Sequence, residues 1–133
     1  MSSTKLKIRY SEVDKMGRAY NAHYLVWFEV GRTDFFRERE VVYSELENKH
    51  NLFLPVREAY CKFKSPVSYD DDIEILTDCK MLDKKRIKFS YKIINLNTEK
   101  ICALGFTVHV FIESNGKTVL IPEFIIDKFN IGA

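Results

Sequence analysis

The chain has 133 residues, 46% of them hydrophobic and 14% aromatic, with 30% charged and a formal net charge of +2. That length fits one domain over residues 1–133 and fills a proper core, while so small a charge gives no argument for nucleic acid, none being expected as a partner, and leaves a local basic patch for a phosphorylated small molecule. No apolar run reaches signal-peptide or membrane-spanning length, and Cys61, Cys79 and Cys102 lack Cys-x-x-Cys spacing, so buried free thiols in a reducing cytoplasm are expected.

Residues 5–11 alternate Leu6, Ile8 and Tyr10 and predict a first strand. A polar stretch containing Gly17 follows, and then a helix from Ala22 to Glu38, on which Tyr24, Phe28, Gly31 and Phe35 share one face and Leu25, Trp27 and Phe36 widen it. Gly31 within that stripe costs roughly 1 kcal/mol of helix propensity against Ala, which close approach of the helix to a sheet would offset. Asn21 stands at the helix start as a favoured N-cap type. A weaker helical stretch covers 41–49.

From there the pattern is strand. Residues 52–64 are extended around Pro55; 72–81 alternate Ile73, Ile75, Thr77, Cys79 and Met81; 86–94 alternate Ile87, Phe89, Tyr91 and Ile93 against Arg86, Lys88, Ser90 and Lys92. Residues 101–112 are apolar on both faces, as a central strand covered on both sides should be. The connections at 83–85, 95–99 and Asn115-Gly116 are short enough to force antiparallel neighbours. A closing helix is expected over PEFIIDKF, its proline suited to a first turn. The order predicts an α+β fold, one long central helix wrapped by an antiparallel sheet. One helix covers a single face of such a sheet, so the other face calls for a homo-oligomeric partner.

The polar loop Ser11–Asn21 is the first place to look for chemistry. Asp14 follows a strand and precedes a helix N-terminus, whose unpaired N–H groups and partial positive charge can polarise a carbonyl while a carboxylate attacks it or activates water. By local pattern alone Asp14 reads equally as a turn cap. The run YSEVDKMGRAYNAHYLVWFEVGRTDFF closely resembles the N-terminal signature of the 4-hydroxybenzoyl-CoA thioesterase family and its bacterial acyl-CoA thioesterase relatives, through Asp14, Gly17, Tyr20, Tyr24, Phe28, Glu29 and Arg32. SPVSYDDDIEI is similar to that family's strand start, with Pro66, Tyr69, Asp70 and Asp71 in register, and HVFIESNGKTVLIPEF to its final hairpin.

The resemblance implies a hotdog fold and a cytoplasmic hydrolase, a homodimer or homotetramer, that cleaves acyl-CoA to free acid and coenzyme A. It implies Asp14 as the catalytic carboxylate and the backbone N–H near Asn21 as the carbonyl donor, with Tyr20 and Tyr24 toward the substrate. Relatives carry His or Tyr where Asn21 stands and a small residue at Arg18, so no His side-chain role transfers to Asn21, and Arg18 alters the substrate entrance.

For the phosphates of coenzyme A, Lys84, Lys85 and Arg86 cluster at a turn, with Lys62 and Lys64 on the strand before Pro66; a solvated hairpin tip explains the cluster as well. His23 lies in the first helical turn and is a candidate for orienting loop or substrate, His50 reads as surface, and His109 as a hydrogen-bonded core histidine. No His or Cys spacing suits a metal, and no cofactor is expected, coenzyme A being part of the substrate. Glu29 is expected to pair with Arg32 or Thr33 on the helix surface. Two rival functions remain: a hotdog hydratase, whose His-Phe-Pro-Gly type motif is missing here, and a non-catalytic binder of acyl-CoA or acyl carrier protein. The acyl group itself is not readable, since the aromatic residues serve a core equally well.

Overall fold

A computed structural model describes residues 1–132. Its strands are β1 (Ser2–Lys7), β2 (Val56–Phe63), β3 (Asp72–Met81), β4 (Arg86–Asn95), β5 (Lys100–Ile112) and β6 (Thr118–Val119); its helices are α1 (Ala22–Glu38), α2 (Tyr43–His50) and α3 (Glu123–Phe129). The strands form one antiparallel sheet ordered β1-β3-β4-β5-β2, with β6 on β5. α1 lies against it, and the expected helix-wrapped α+β arrangement is what forms.

The alternation along β3 and β4 turns Ile73, Ile75, Ile87, Phe89, Tyr91 and Ile93 toward α1, where all are buried with Trp27, Phe28, Phe35 and Phe36. Phe28 stacks on Tyr91 with ring centroids 4.3 Å apart. The reason for Gly31 is direct: a Cβ there would lie 2.5 Å from Thr77 Oγ1 and 2.8 Å from Ile75 Cγ2, so only glycine lets the helix descend onto β3.

Four expectations change. The first strand ends at Lys7; the chain leaves the sheet after Ile8, and residues 10–12 coil into a single 3-10 turn. The strand's inner face carries Ser2 and Thr4, whose hydroxyls donate to Glu38 and Asp34 on α1, a polar contact that hydrophobic periodicity does not register. The second helix starts at Tyr43 and runs to His50. β5 has neighbours on both sides, yet its outward Leu104 and Phe106 are only partly buried. Asn21 stands at the start of α1 in helical conformation and makes no side-chain cap.

β2 is an outer strand, as β1 is at the other side, and among the described residues it is hydrogen-bonded only to β5. Its Val56, Tyr60 and Phe63 are about half exposed, at 48%, 50% and 48%, which leaves an apolar strand edge open to pairing. No helix is long and apolar enough to cross a membrane.

Candidate active site

Between β1 and α1 the chain makes a small hairpin. Asp14 N–H donates to Arg18 C=O at 2.8 Å, Gly17 N–H returns to Asp14 C=O at 3.0 Å, and Gly17 takes φ +77, the left-handed position that a three-residue hairpin loop reserves for glycine. The Asp14 side chain closes the same turn. Its Oδ1 accepts the N–H groups of Met16 (2.8 Å) and Arg18 (3.3 Å), while Oδ2 has no partner among the described residues. The turn-cap reading and the catalytic reading therefore divide the carboxylate: one oxygen anchors it and the other stays available.

The far limb of the hairpin is tied to the segment before β3. Ala19 N–H donates to Val67 C=O, and Tyr69 N–H to Gly17 C=O. The limb then runs directly into α1. His23 N–H and Tyr24 N–H find Tyr20 C=O and Asn21 C=O. The N–H groups of Asn21 and Ala22 find no acceptor among the described residues, as the first amides of a helix should not.

Asp14 and Asn21 line one cavity of about 310 Å³, together with Arg18, Ala19, Tyr24, Phe63, Lys64, Ser65 and Pro66. The carboxylate residue and the first residue of the helix start thus line one space that a carbonyl could enter. Tyr24 packs edge-on to Phe63 at 4.9 Å, and burial pushes its phenol up to about 12, so it remains a protonated wall of that space.

The other predicted residues separate. Tyr20 is 60% exposed and meets His23 edge-on at 6.2 Å; neither lines the cavity. Lys64 and Arg18 do line it. Lys62 precedes Phe63 on β2, and since Phe63 turns toward Tyr24, Lys62 points to the opposite face. Lys84, Lys85 and Arg86 lie at the β3–β4 turn, whereas the Asp14 hairpin bonds to residues just before β3. The ten residues of β3 put the two ends about 30 Å apart, so one chain does not bring them together. The turn is also less cationic than its sequence: Asp83 accepts the N–H groups of Lys85 and Arg86, and its carboxylate pairs with Arg86 Nε at 2.7 Å. Those bonds, the Arg86 side chain first, hold Asp83 down at about 2.

The remaining candidates resolve into structure. His109 is fully buried, bonded through Nδ1 to Leu54 C=O and through Nε2 to Thr107 Oγ1. His50 is exposed and stacks on Phe124. Burial raises the thiols of Cys61, Cys79 and Cys102, all unpaired. Among the described residues no three His, Cys, Asp or Glu side chains converge on one point. Arg32 does not pair with Glu29. It turns inward, 8% exposed, and donates to Tyr91 OH at 3.0 Å, while Thr33 Oγ1 donates to Glu29 C=O.

One residue beside the site carried no signal in the loop pattern. Glu12 is 5% exposed and accepts the Trp27 indole N–H at 2.7 Å. The clue lay in Trp27: a tryptophan on the buried stripe of a helix needs an acceptor for its N–H.

Known proteins identify the family. The thioesterase-like superfamily matches residues 8–129, from the end of β1 to α3. "Putative acyl-CoA thioesterase YneP" of Bacillus subtilis is 33% identical over 95 residues, covering 71% of this chain and 68% of its own. "Acyl-CoA thioester hydrolase YbgC" of Escherichia coli is 26% identical over 90 residues, 68% of this chain and 66% of that one. A 1,4-dihydroxy-2-naphthoyl-CoA thioesterase from Synechocystis superposes with a TM-score of 0.90 over 96% of this chain and 94% of its own at 16% identity, a likeness of fold. The match takes in the Asp14 hairpin, the helix and the sheet around it, and the hotdog chain described here belongs to the thioesterase-like superfamily.

Proposed function

We propose that the chain hydrolyses acyl-coenzyme A to the free acid and coenzyme A, with Asp14 as its carboxylate and the helix-start amides as its carbonyl donors. The observation that carries this reading is the single cavity shared by Asp14 and the unpartnered N–H end of α1. The names of the relatives supply the substrate class. A thioester carbonyl seated on the Asn21 and Ala22 N–H groups is polarised as charge develops on its oxygen, worth about 10²–10³-fold per donor. Asp14 Oδ2 then attacks the carbonyl carbon or takes a proton from an attacking water, the latter worth about 10²–10⁴-fold. In either route the C–S bond breaks, the thiolate leaves and is protonated, and water supplies the acid's second oxygen. Thioesters are reactive acyl donors, so the reaction needs no cofactor beyond the coenzyme A that the substrate carries.

The working unit is a cytoplasmic homodimer or homotetramer of this single domain. Two observations support assembly: the half-exposed apolar edge of β2, and Leu25 and Val26 standing 45% and 46% exposed on α1. Within one protomer Arg18 and Lys64 are the cations that line the cavity. Lys84 and Lys85 reach coenzyme A phosphates only from a second copy. An acyl carrier protein is an alternative bearer of the thioester.

The test is thiol release from short, long and aromatic acyl-CoAs by the wild type and by Asp14→Asn. Asparagine keeps the Oδ1 acceptor of the turn and removes the anionic oxygen. A fall in turnover of about 10²-fold or more with the fold intact is expected. Wild-type turnover on no acyl-CoA despite binding would favour a carrier-protein substrate or a non-catalytic binder.

A further inference from the structure

Glu12 lies two residues before Asp14 yet does not line the cavity. Its two carboxylate oxygens are committed. Oε2 accepts Trp27 Nε1–H at 2.7 Å, and Oε1 accepts the Arg9 backbone N–H at 2.8 Å and Arg9 Nε–H at 3.3 Å. Burial by itself would raise its carboxyl, but the Arg9 amide, the indole and the guanidinium outweigh it and hold the group below the ordinary carboxylate range. Its own C=O accepts Tyr20 N–H at 3.0 Å, closing the base of the Asp14 hairpin. A buried, ionised and fully bonded glutamate is a poor acid, base or nucleophile, so its contribution must be geometric.

The proposed chemistry draws on two segments, the hairpin that carries Asp14 and the first turn of α1. Each is well bonded within itself. Among the described residues the Glu12–Trp27 bond is the only side-chain hydrogen bond joining residues 9–21 to α1. Trp27 is itself immobile, 1% exposed and packed on Tyr24 at 4.8 Å, and Tyr24 lines the cavity. We propose that Glu12 is a positioning residue, clamping the Asp14 hairpin to α1 through Trp27 so that the carboxylate keeps its separation from the helix-start amides. This rests on Asp14 acting as the catalytic carboxylate. A displacement of about 1 Å in such a constellation is enough for about 10²-fold in rate.

The chain holds one tryptophan, so Trp27→Phe removes the donor with little change of apolar bulk, and the indole ¹⁵N–H resonance of the wild type and of Glu12→Gln reports the bond without ambiguity. Glu12→Gln replaces one acceptor oxygen by an NH₂ that must face either Trp27 or Arg9 donor to donor. Each single variant is expected to lower kcat about 10–10²-fold with KM changed less than about threefold. The double variant should be no worse than the worse single, because both remove one bond. Should a single variant fail to fold, the double decides, since it removes both the donor-to-donor clash of Glu12→Gln and the unpaired buried charge of Trp27→Phe, leaving one neutral amide end against a phenyl ring. A folded double variant with wild-type kcat overturns the proposal, as does a loss of thermal stability with turnover per folded molecule unchanged.

Failure of the functional reading is separable. If the wild type hydrolyses no acyl-CoA, a carrier-protein substrate or a non-catalytic binder replaces the acyl-CoA reading; if Asp14→Asn keeps its turnover, Asp14 is not the catalytic carboxylate. The clamp is then judged by hydrogen exchange at the Met16 and Arg18 amides that bond Asp14 Oδ1. Exchange at least about tenfold faster in the double variant supports it, and unchanged exchange overturns it.

Discussion

Two polar regions flank α1, and they are built on opposite terms. At its N-terminal end Asp14 and Asn21 line a cavity, and among the described residues Asp14 Oδ2 and the N–H groups of Asn21 and Ala22 make no hydrogen bond. Deeper in the core, Arg32, Tyr91, Thr107, His109 and the Leu54 carbonyl form a chain of hydrogen bonds at 3.0, 2.6, 2.8 and 3.1 Å. A guanidinium can only donate and a carbonyl only accept. Arg32 therefore donates to Tyr91, Tyr91 to Thr107, Thr107 to His109 Nε2, and His109 Nδ1–H to Leu54. Burial first, and Arg32 second, lower His109 to about 4, which keeps the imidazole neutral and its Nε2 free to accept. The contrast teaches where each kind of energy goes. Groups left unbonded at the cavity are available to a substrate, whereas the core chain uses its hydrogen bonds to fix the helix on the sheet. Among the described residues only the side-chain atoms Arg32 Nε and Thr77 Oγ1 are buried without a partner.

That division can be broken by experiment. The largest effect belongs to Asp14→Asn, about 10²–10⁴-fold in turnover, with a melting temperature close to the wild type because the Oδ1 acceptor survives. A large drop in stability would show that the cavity too is structural. Tyr91→Phe should do the reverse. It deprives Arg32 of its acceptor and Thr107 of its donor, and should lower unfolding free energy in urea by about 1–3 kcal/mol while leaving turnover of the folded enzyme near its original value.

Acid sharpens the point. With His109 titrating near 4 when folded and near 6.5 when unfolded, its contribution is complete above about pH 6.5. That contribution is lost as pH falls toward 4, because the unfolded chain takes up a proton that the folded one refuses. About 2 kcal/mol should go between pH 7 and pH 5 from this residue, and His109→Leu should flatten that part of the stability profile. The smallest effect is expected from Lys84→Ala with Lys85→Ala. Exposed charges contribute about 0.2–1 kcal/mol each, so KM for acyl-CoA should rise only a few-fold, more at low salt than at high, with kcat unchanged. No change in KM would leave Arg18 and Lys64 as the phosphate-facing cations.

Periodicity and turn chemistry were enough, by themselves, for the elements that bury a regular face. α1 over Ala22–Glu38 and β3 over Asp72–Met81 begin and end where the patterns do, because an apolar stripe declares its period along the chain. The same holds for the demand that something approach Gly31. The signature around Asp14 pointed to the hairpin and the helix start, since both lie within a dozen residues of each other.

Tertiary structure alone decided which polar groups meet. Arg32 reads as a surface partner for Glu29 by helical spacing, yet the face it occupies is turned to Tyr91. Glu12 reads as one more charge in a loop, until Trp27 is brought over it. Lys84 and Lys85 read as cations for the phosphates of coenzyme A, yet a ten-residue strand carries them to the end of the sheet away from Asp14. The reason is physical: burying apolar surface depends on residue type and local period, whereas a hydrogen bond or ion pair depends on a partner distant in sequence, fixed to within a few tenths of an ångström by the packing around it.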